Sequence, residues 1–139
     1  MLDETEYSRW LSSAKKTLES ARGDLNRGDY NWACFKAQQA AEMAVKALLH
    51  GLGLPAYGHS ISKLLINLRS KGLQVSNDII NLAKSLDKYY IPTRYPNAWV
   101  EGTPYDYYTV EDAESAIRYA KSIIEWVEEV WRYLRRGER

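Results

Sequence analysis

The residues best suited to do chemistry lie in the run Tyr89-Tyr90-Ile91-Pro92-Thr93-Arg94-Tyr95-Pro96-Asn97-Ala98-Trp99 and the aromatic stretch that follows it to Tyr108. An arginine among tyrosines offers what a nucleotide needs: a planar cation for phosphate and flat faces for a base. His59 and Ser60 open a helical pattern, and a helix N-terminus attracts anions. Lys63 follows one turn later on the same side of that helix, so it can add charge to the same place. Arg94, Tyr95, Tyr90, His59 and Lys63 are therefore the candidate ligand-binding residues. Gln38 and Glu42 interrupt an apolar helical stripe of Phe35, Val45 and Leu49, and buried polar groups need partners. They face a polar cavity or bind the aromatic run. Arg94 is the natural partner for Glu42 or for Asp87, and such a buried ion pair would make it the anchor of its loop. The two roles for Arg94, anchor and anion binder, stay open at this level. Glu42 and Asp87 are also the residue types of acid–base chemistry, although no spacing places them together.

Other candidate chemistries are weaker. Gly51-Leu52-Gly53-Leu54 has the look of a phosphate loop, but it follows a helix and no Lys-Ser/Thr pair comes after it, so a helix stop is the better reading. His50 and His59 are the only histidines, and neither stands one helical turn from the other or beside a set of Cys, Asp or Glu ligands. No metal and no cofactor is expected. The single Cys34 excludes an internal disulfide and lies among Ala33, Phe35 and Ala37, as a buried inert thiol does. A net charge of +1 over 139 residues excludes a protein that coats nucleic acid, so any such contact must be a local patch. There is no visible signal peptide, lipidation motif or long apolar span, and a cytoplasmic protein without a membrane partner is the expectation.

The elements that must position these residues are helical. Tyr7, Trp10, Leu11, Ala14, Leu18, Ala21 and Leu25 step by threes and fours behind an Asp3–Glu6 cap, up to Gly28. The second pattern, from about Asp29 to His50, is apolar on nearly every side and belongs at the centre of a bundle. Ile61, Leu64, Leu65 and Leu68 mark a third helix ending at Gly72. Ser76 caps a fourth with Ile79, Ile80, Ala83, Leu86 and Tyr90 on its face, ended by Pro92. Thr109, with Asp112 three residues on, caps a long fifth from Ala113 to Leu134, supported by surface pairs Glu114–Arg118 and Glu128–Arg132. The arginines of the tail from Arg132 to Arg139 complement that helix's C-terminal dipole, with phosphate binding as the lesser reading. No strand alternation and no internal repeat is present. The sequence predicts one all-α domain over residues 1–139, a five-helix up-and-down bundle with a long aromatic loop between helices 4 and 5. A structureless connection of that length in a compact domain is usually functional or disordered, and its Tyr and Trp content argues against disorder.

The segment from Asp29 to Leu49, Asp29-Tyr30-Asn31-Trp32-Ala33-Cys34-Phe35-Lys36-Ala37-Gln38-Gln39-Ala40-Ala41-Glu42-Met43-Ala44-Val45-Lys46-Ala47-Leu48-Leu49, resembles the signature second helix of HEPN domains (higher eukaryotes and prokaryotes nucleotide-binding). His59-Ser60, the run from Tyr89 to Pro96 and the helix start Tyr108-Thr109-Val110-Glu111-Asp112-Ala113 match the small prokaryotic form, so the likeness covers nearly the whole chain. It implies a five-helix bundle that dimerises. Many such proteins are encoded beside a minimal nucleotidyltransferase as toxin–antitoxin pairs, and others are metal-independent ribonucleases or bind nucleotides. The ribonuclease members carry an Arg followed after four to six residues by His. Arg94 stands where that Arg would be, yet the corresponding positions hold Trp99, Val100 and Glu101, and no other Arg in the chain has a His at that spacing.

The resemblance and the residues together predict a non-catalytic binding module that engages a nucleotidyltransferase partner, a nucleotide or RNA through the loop around Arg94. The alternatives are a divergent ribonuclease using Arg94, His59 or a tyrosine, and a purely structural dimer whose function lies in its partner.

Overall fold

A computed structural model describes residues 1–137 and turns the helical patterns into five α-helices: α1 (Glu4–Arg27), α2 (Tyr30–Gly51), α3 (Ile61–Ser70), α4 (Asn77–Asp87) and α5 (Val110–Gly137). No strand occurs among the described residues. The helices start where short polar side chains can accept from the first free amides. Asp3 accepts from the Glu6 amide at 3.1 Å, Ser76 from Ile79 at 3.3 Å, and Thr109 and Asp112 close a reciprocal box at 3.2 and 3.0 Å.

Helix α2 packs against α1, α3, α4 and α5, as its composition requires. Its alanines at 33, 37, 40, 41, 44 and 47 are fully buried and let its neighbours approach closely. The covering is incomplete, however. Trp32, Phe35, Gln39, Met43 and His50 form a partly exposed stripe down one side of it, so this central helix is not covered on every face.

Two more expectations are revised. Helix α4 ends at Asp87, and Tyr90 stands in the following turn rather than on the helix face. Pro92 cannot donate to a helical ladder, and Thr93 Oγ1 and Arg94 take the carbonyls of Tyr89 and Tyr90 instead. Glu128 reaches across to Lys15 on α1 at 2.7 Å, not along its own helix to Arg132, and Arg118 donates to Ser115 at 3.1 Å rather than pairing with Glu114. In the tail, Arg135 binds Glu4 at 2.7 Å, while Glu138 and Arg139 lie outside the described residues.

Near the chain ends the bundle is locked by rings. Tyr7 and Trp131 stack at 3.9 Å and 5° between planes, directly against Gly51. A methyl group on Gly51 would fall 2.6 Å from Trp131 Cη2 and 3.2 Å from Tyr7 Cβ, both on packed side chains. Gly51→Ala is therefore expected to lower stability by about 1–3 kcal/mol, as overpacking a core does. Urea unfolding followed by Trp fluorescence checks this, and an unchanged midpoint would show that the ring stack yields freely.

Candidate functional site around Tyr90 and Arg94

The site begins on α2, where Asn31, Phe35, Gln38, Glu42 and Lys46 succeed one another by threes and fours and so share a side of the helix. Asn31 is buried and donates from Nδ2 to the Thr93 carbonyl at 3.1 Å, fixing the loop after α4 to the helix. Thr93, fully buried, donates to Tyr89 O at 2.7 Å, and Trp99 Nε1 donates to Pro92 O at 2.7 Å. The carbonyls of Tyr89, Pro92 and Thr93 are thus taken by side chains of the loop and of α2. The loop is folded, with short 3-10 turns at Pro96–Ala98 and Pro104–Asp106.

Within that frame Arg94 donates from Nε and Nη2 to Tyr90 O, at 2.9 and 2.6 Å. Its Cζ lies 4.3 Å from the Phe35 ring centroid, 4.8 Å from that of Tyr90 and 5.0 Å from that of Tyr95. Such contacts are worth roughly 0.5–2 kcal/mol each, depending on how dry they are. They leave Nη1 with no protein partner among the described residues. The expected ion pair of Arg94 with Glu42 or Asp87 is corrected: both carboxylates are engaged elsewhere.

Glu42 is buried, and its Oε2 meets Lys46 Nζ at 3.1 Å and His59 Nδ1 at 3.3 Å. Its Oε1 receives Gln38 Nε2 at 3.2 Å and Gln39 Nε2 at 3.4 Å. Gln38 also donates to the His59 carbonyl at 3.1 Å and accepts from Gln39 at 2.7 Å. A carboxylate on a central helix is tolerable because every lone pair has a donor. The His59 ring stacks on Tyr90 at 4.5 Å and 16°. Tyr90 therefore carries His59 and Arg94 on one ring.

Asp87 does a different job. Its carboxylate accepts from the Ile61 and Ser62 amides at 2.7 and 3.2 Å, and from the Ser60 and Ser62 hydroxyls at 3.1 and 2.6 Å. The anion site expected at the start of α3 is thus filled by the protein's own carboxylate, which removes it as a phosphate site. Lys63 lines a separate shallow depression with Pro55, Tyr57, Leu64 and Asn67. His59 is not among the residues that line that depression.

Sequence reasoning passes over Phe35, Gln39, Lys46 and Asn31 as site residues. A signal for them exists: all four stand one turn from Gln38, Glu42 or each other on α2. Burial pushes the Tyr89 hydroxyl up to about 12, with Cys34 and Asp112 adding to the effect, and pushes Tyr108 higher still. Neither can act as a base near neutral pH. Burial, assisted by Asp112, likewise raises the Cys34 thiol to about 12, as suits an inert core group. No group of three or more His, Cys, Asp or Glu among the described residues is arranged to hold a metal, and no helix there is long and apolar enough to cross a membrane.

The HEPN domain model aligns with residues 7–130, and the chain belongs to the HEPN family. The crystal structure of TT1696 from Thermus thermophilus is similar at a TM-score of 0.85 and 48% identity, over 88% of this chain and 96% of that one. The archaeal HEPN homologue ST0689 gives 0.75 and 43% over 88% and 95%. The HEPN domain protein TM0613 from Thermotoga maritima gives 0.72 and 36% over 88% and 97%. A Methanocaldococcus jannaschii relative named "Putative toxin MJ1304" is 26% identical over 128 residues, 86% of this chain and 84% of its own length.

Asp87→Ala would leave two amides and two hydroxyls at the start of α3 without their acceptor, and unsatisfied buried donors cost about 1–3 kcal/mol. A loss of that size in chemical unfolding is expected. Unchanged stability would mean that water replaces the carboxylate at no cost.

Proposed function

We propose that the protein is a non-catalytic HEPN binding module, a homodimer that takes nucleotide or RNA phosphate on Arg94 and engages a nucleotidyltransferase partner within a toxin–antitoxin pair. The observation that carries the ligand reading is the state of Arg94. It is held among Phe35, Tyr90 and Tyr95, partly exposed, paired with no carboxylate among the described residues, and with Nη1 uncommitted. Tyr95 and Tyr105 are 46% and 60% exposed and offer faces for a base. The toxin name of the Methanocaldococcus jannaschii relative supports the cellular role. The half-exposed stripe of α2, Trp32, Phe35, Gln39 and Met43, supports a second copy as its cover.

A divergent ribonuclease is the second reading, favoured by one observation: His59, tied to Glu42 at 3.3 Å, rests on the same ring as Arg94. Against it, Trp99, Val100 and Glu101 stand where the family's catalytic histidine would be.

Titration with fluorescently labelled single-stranded RNA separates these. Binding is expected to weaken with salt, and Arg94→Lys is expected to lose roughly tenfold or more, because Lys lacks the fork of a charge-assisted bidentate contact. Melting of Arg94→Ala should change little compared with the loss of a buried ion pair, since no carboxylate is orphaned. Salt-insensitive binding, unaffected by both variants, would sink the ligand reading, and RNA cleavage in chelator that Arg94→Ala abolishes would install the ribonuclease. Sedimentation equilibrium is expected to give a dimer at micromolar concentration. A monomer at all concentrations would remove the proposed interface.

A further inference from the structure

Helix α5 keeps an open face on its C-terminal half, where Trp126, Val130, Tyr133 and Leu134 recur by threes and fours. Trp126, Val130 and Leu134 are partly exposed and pack one edge against the core, while Tyr133 is 69% exposed. Between this face and Leu73, in the connection from α3 to α4, runs a cavity of about 500 Å³ that Glu129 also lines. An apolar stripe rich in aromatic residues and rimmed by charge has the composition of a protein–protein interface, not of a solvated helix side. It shares no residue with the stripe of α2.

The charges beside the stripe are ordered. On the side toward α1, helix α5 spends its charges within the chain: Glu128 meets Lys15 at 2.7 Å and Arg135 meets Glu4 at 2.7 Å. Glu129 and Arg136 are exposed and form no ion pair among the described residues. They stand two turns apart on one line of the helix, about 10 Å along its axis, with Tyr133 between them. An acid and a base on either side of an aromatic residue complement the same patch reversed. A second α5 laid antiparallel brings each Glu129 to the other's Arg136, whereas a parallel one opposes like to like. Opposed helix dipoles favour the same direction. A patch that complements its own copy in this way suits an isologous contact about a twofold axis.

We infer that this face of α5 is a contact between two copies of the chain, antiparallel about a twofold axis beside Tyr133. Tyr133 and Val130 of both copies form its apolar centre, Trp126 lies toward each end, and two Glu129–Arg136 pairs set its direction. The contact goes beyond the dimer proposed on α2. A chain with two different twofold faces assembles past the dimer, to a closed tetramer or to an open chain according to how the axes lie. A stripe of three turns is short beside stable interfaces, which bury about 800 Å² on each partner. This step therefore needs more protein than the micromolar dimer does.

Sedimentation velocity on the full chain, from micromolar to millimolar concentration, tests the contact. Wild type is expected to grow past the dimer as concentration rises. Glu129→Arg and Arg136→Glu are each expected to weaken that step roughly tenfold, because the twofold axis turns each change into two repulsions. Both side chains are exposed, so far-UV circular dichroism should not change. An equal mixture of the two variants is expected to regain the step, since both contacts are attractive again between unlike copies. The contrast should narrow at high salt. Met43→Glu, which puts a charge on the stripe of α2, should leave an association that still responds to the α5 variants. Self-association of that kind without any contribution from α2 would keep this inference and overturn the α2 interface. Wild type that never passes the dimer would leave the α5 face to a different protein and overturn the inference. Growth indifferent to both single variants, or a mixture that regains nothing, would overturn it as well.

Discussion

The burial of the Glu42 carboxylate on the central helix is the constraint from which the site follows. A charge at that depth must collect donors or become neutral. Lys46 comes from the next turn of α2, and Gln38 and Gln39 from the previous one. The remaining donor comes from outside the helix, and recruiting it ties the residue before α3 to α2 through both His59 Nδ1 and the His59 carbonyl. Asp87 then joins the start of α3 to the end of α4 through four hydrogen bonds. Three residues later Tyr90 lies against His59 and holds Arg94 by its carbonyl. A chain of short-range requirements thus runs from one buried charge to the exposed guanidinium.

This coupling explains why the aromatic segment is ordered although it belongs to no long helix. Proline at 92, 96 and 104 denies it a continuous ladder, and its backbone acceptors would be orphaned if no side chain came to them. Asn31, Thr93, Arg94 and Trp99 supply donors to Thr93, Tyr89, Tyr90 and Pro92 respectively. The rings then pack in stacks: Trp99 on Tyr107 at 4.1 Å, with Tyr108 edge-on at 5.7 Å and Tyr89 against Tyr108 at 5.8 Å. Arg94 is held by three rings and a carbonyl, and no carboxylate among the described residues neutralises it.

The helices are legible in the sequence because their cause is local: apolar spacing, Asp3, Ser60, Ser76 and Thr109 at the caps, and glycine or proline at the ends. The family is legible from the residues of α2 and of the Tyr89–Pro96 run, in order. The pairing of polar groups is not. Arg94 matches Glu42 and Asp87 by charge alone, and charge says nothing about distance. The answer depends on Asp87 ending α4 within reach of the α3 amides, which has no local signature, and on Lys46, one turn along α2, turning inward to Glu42. His59 reads in the sequence as part of an anion site at a helix start. The structure gives that helix start to Asp87 and connects His59 to Glu42 on α2, a neighbour that the sequence does not indicate.

The segment after Arg94 spends its side chains on packing the loop. Trp99, the first of the three positions where the family's catalytic histidine would fall, donates to Pro92 O and stacks on Tyr107. It is therefore a packing residue of the loop, and a histidine there would forfeit both contacts. Val100 is fully exposed, and Glu101 offers its carbonyl to the Tyr107 hydroxyl. The stretch that would carry proton transfer is used to brace the loop. The contacts that hold the Arg94 guanidinium come from Tyr90, Phe35 and Tyr95, and none comes from Trp99, Val100 or Glu101.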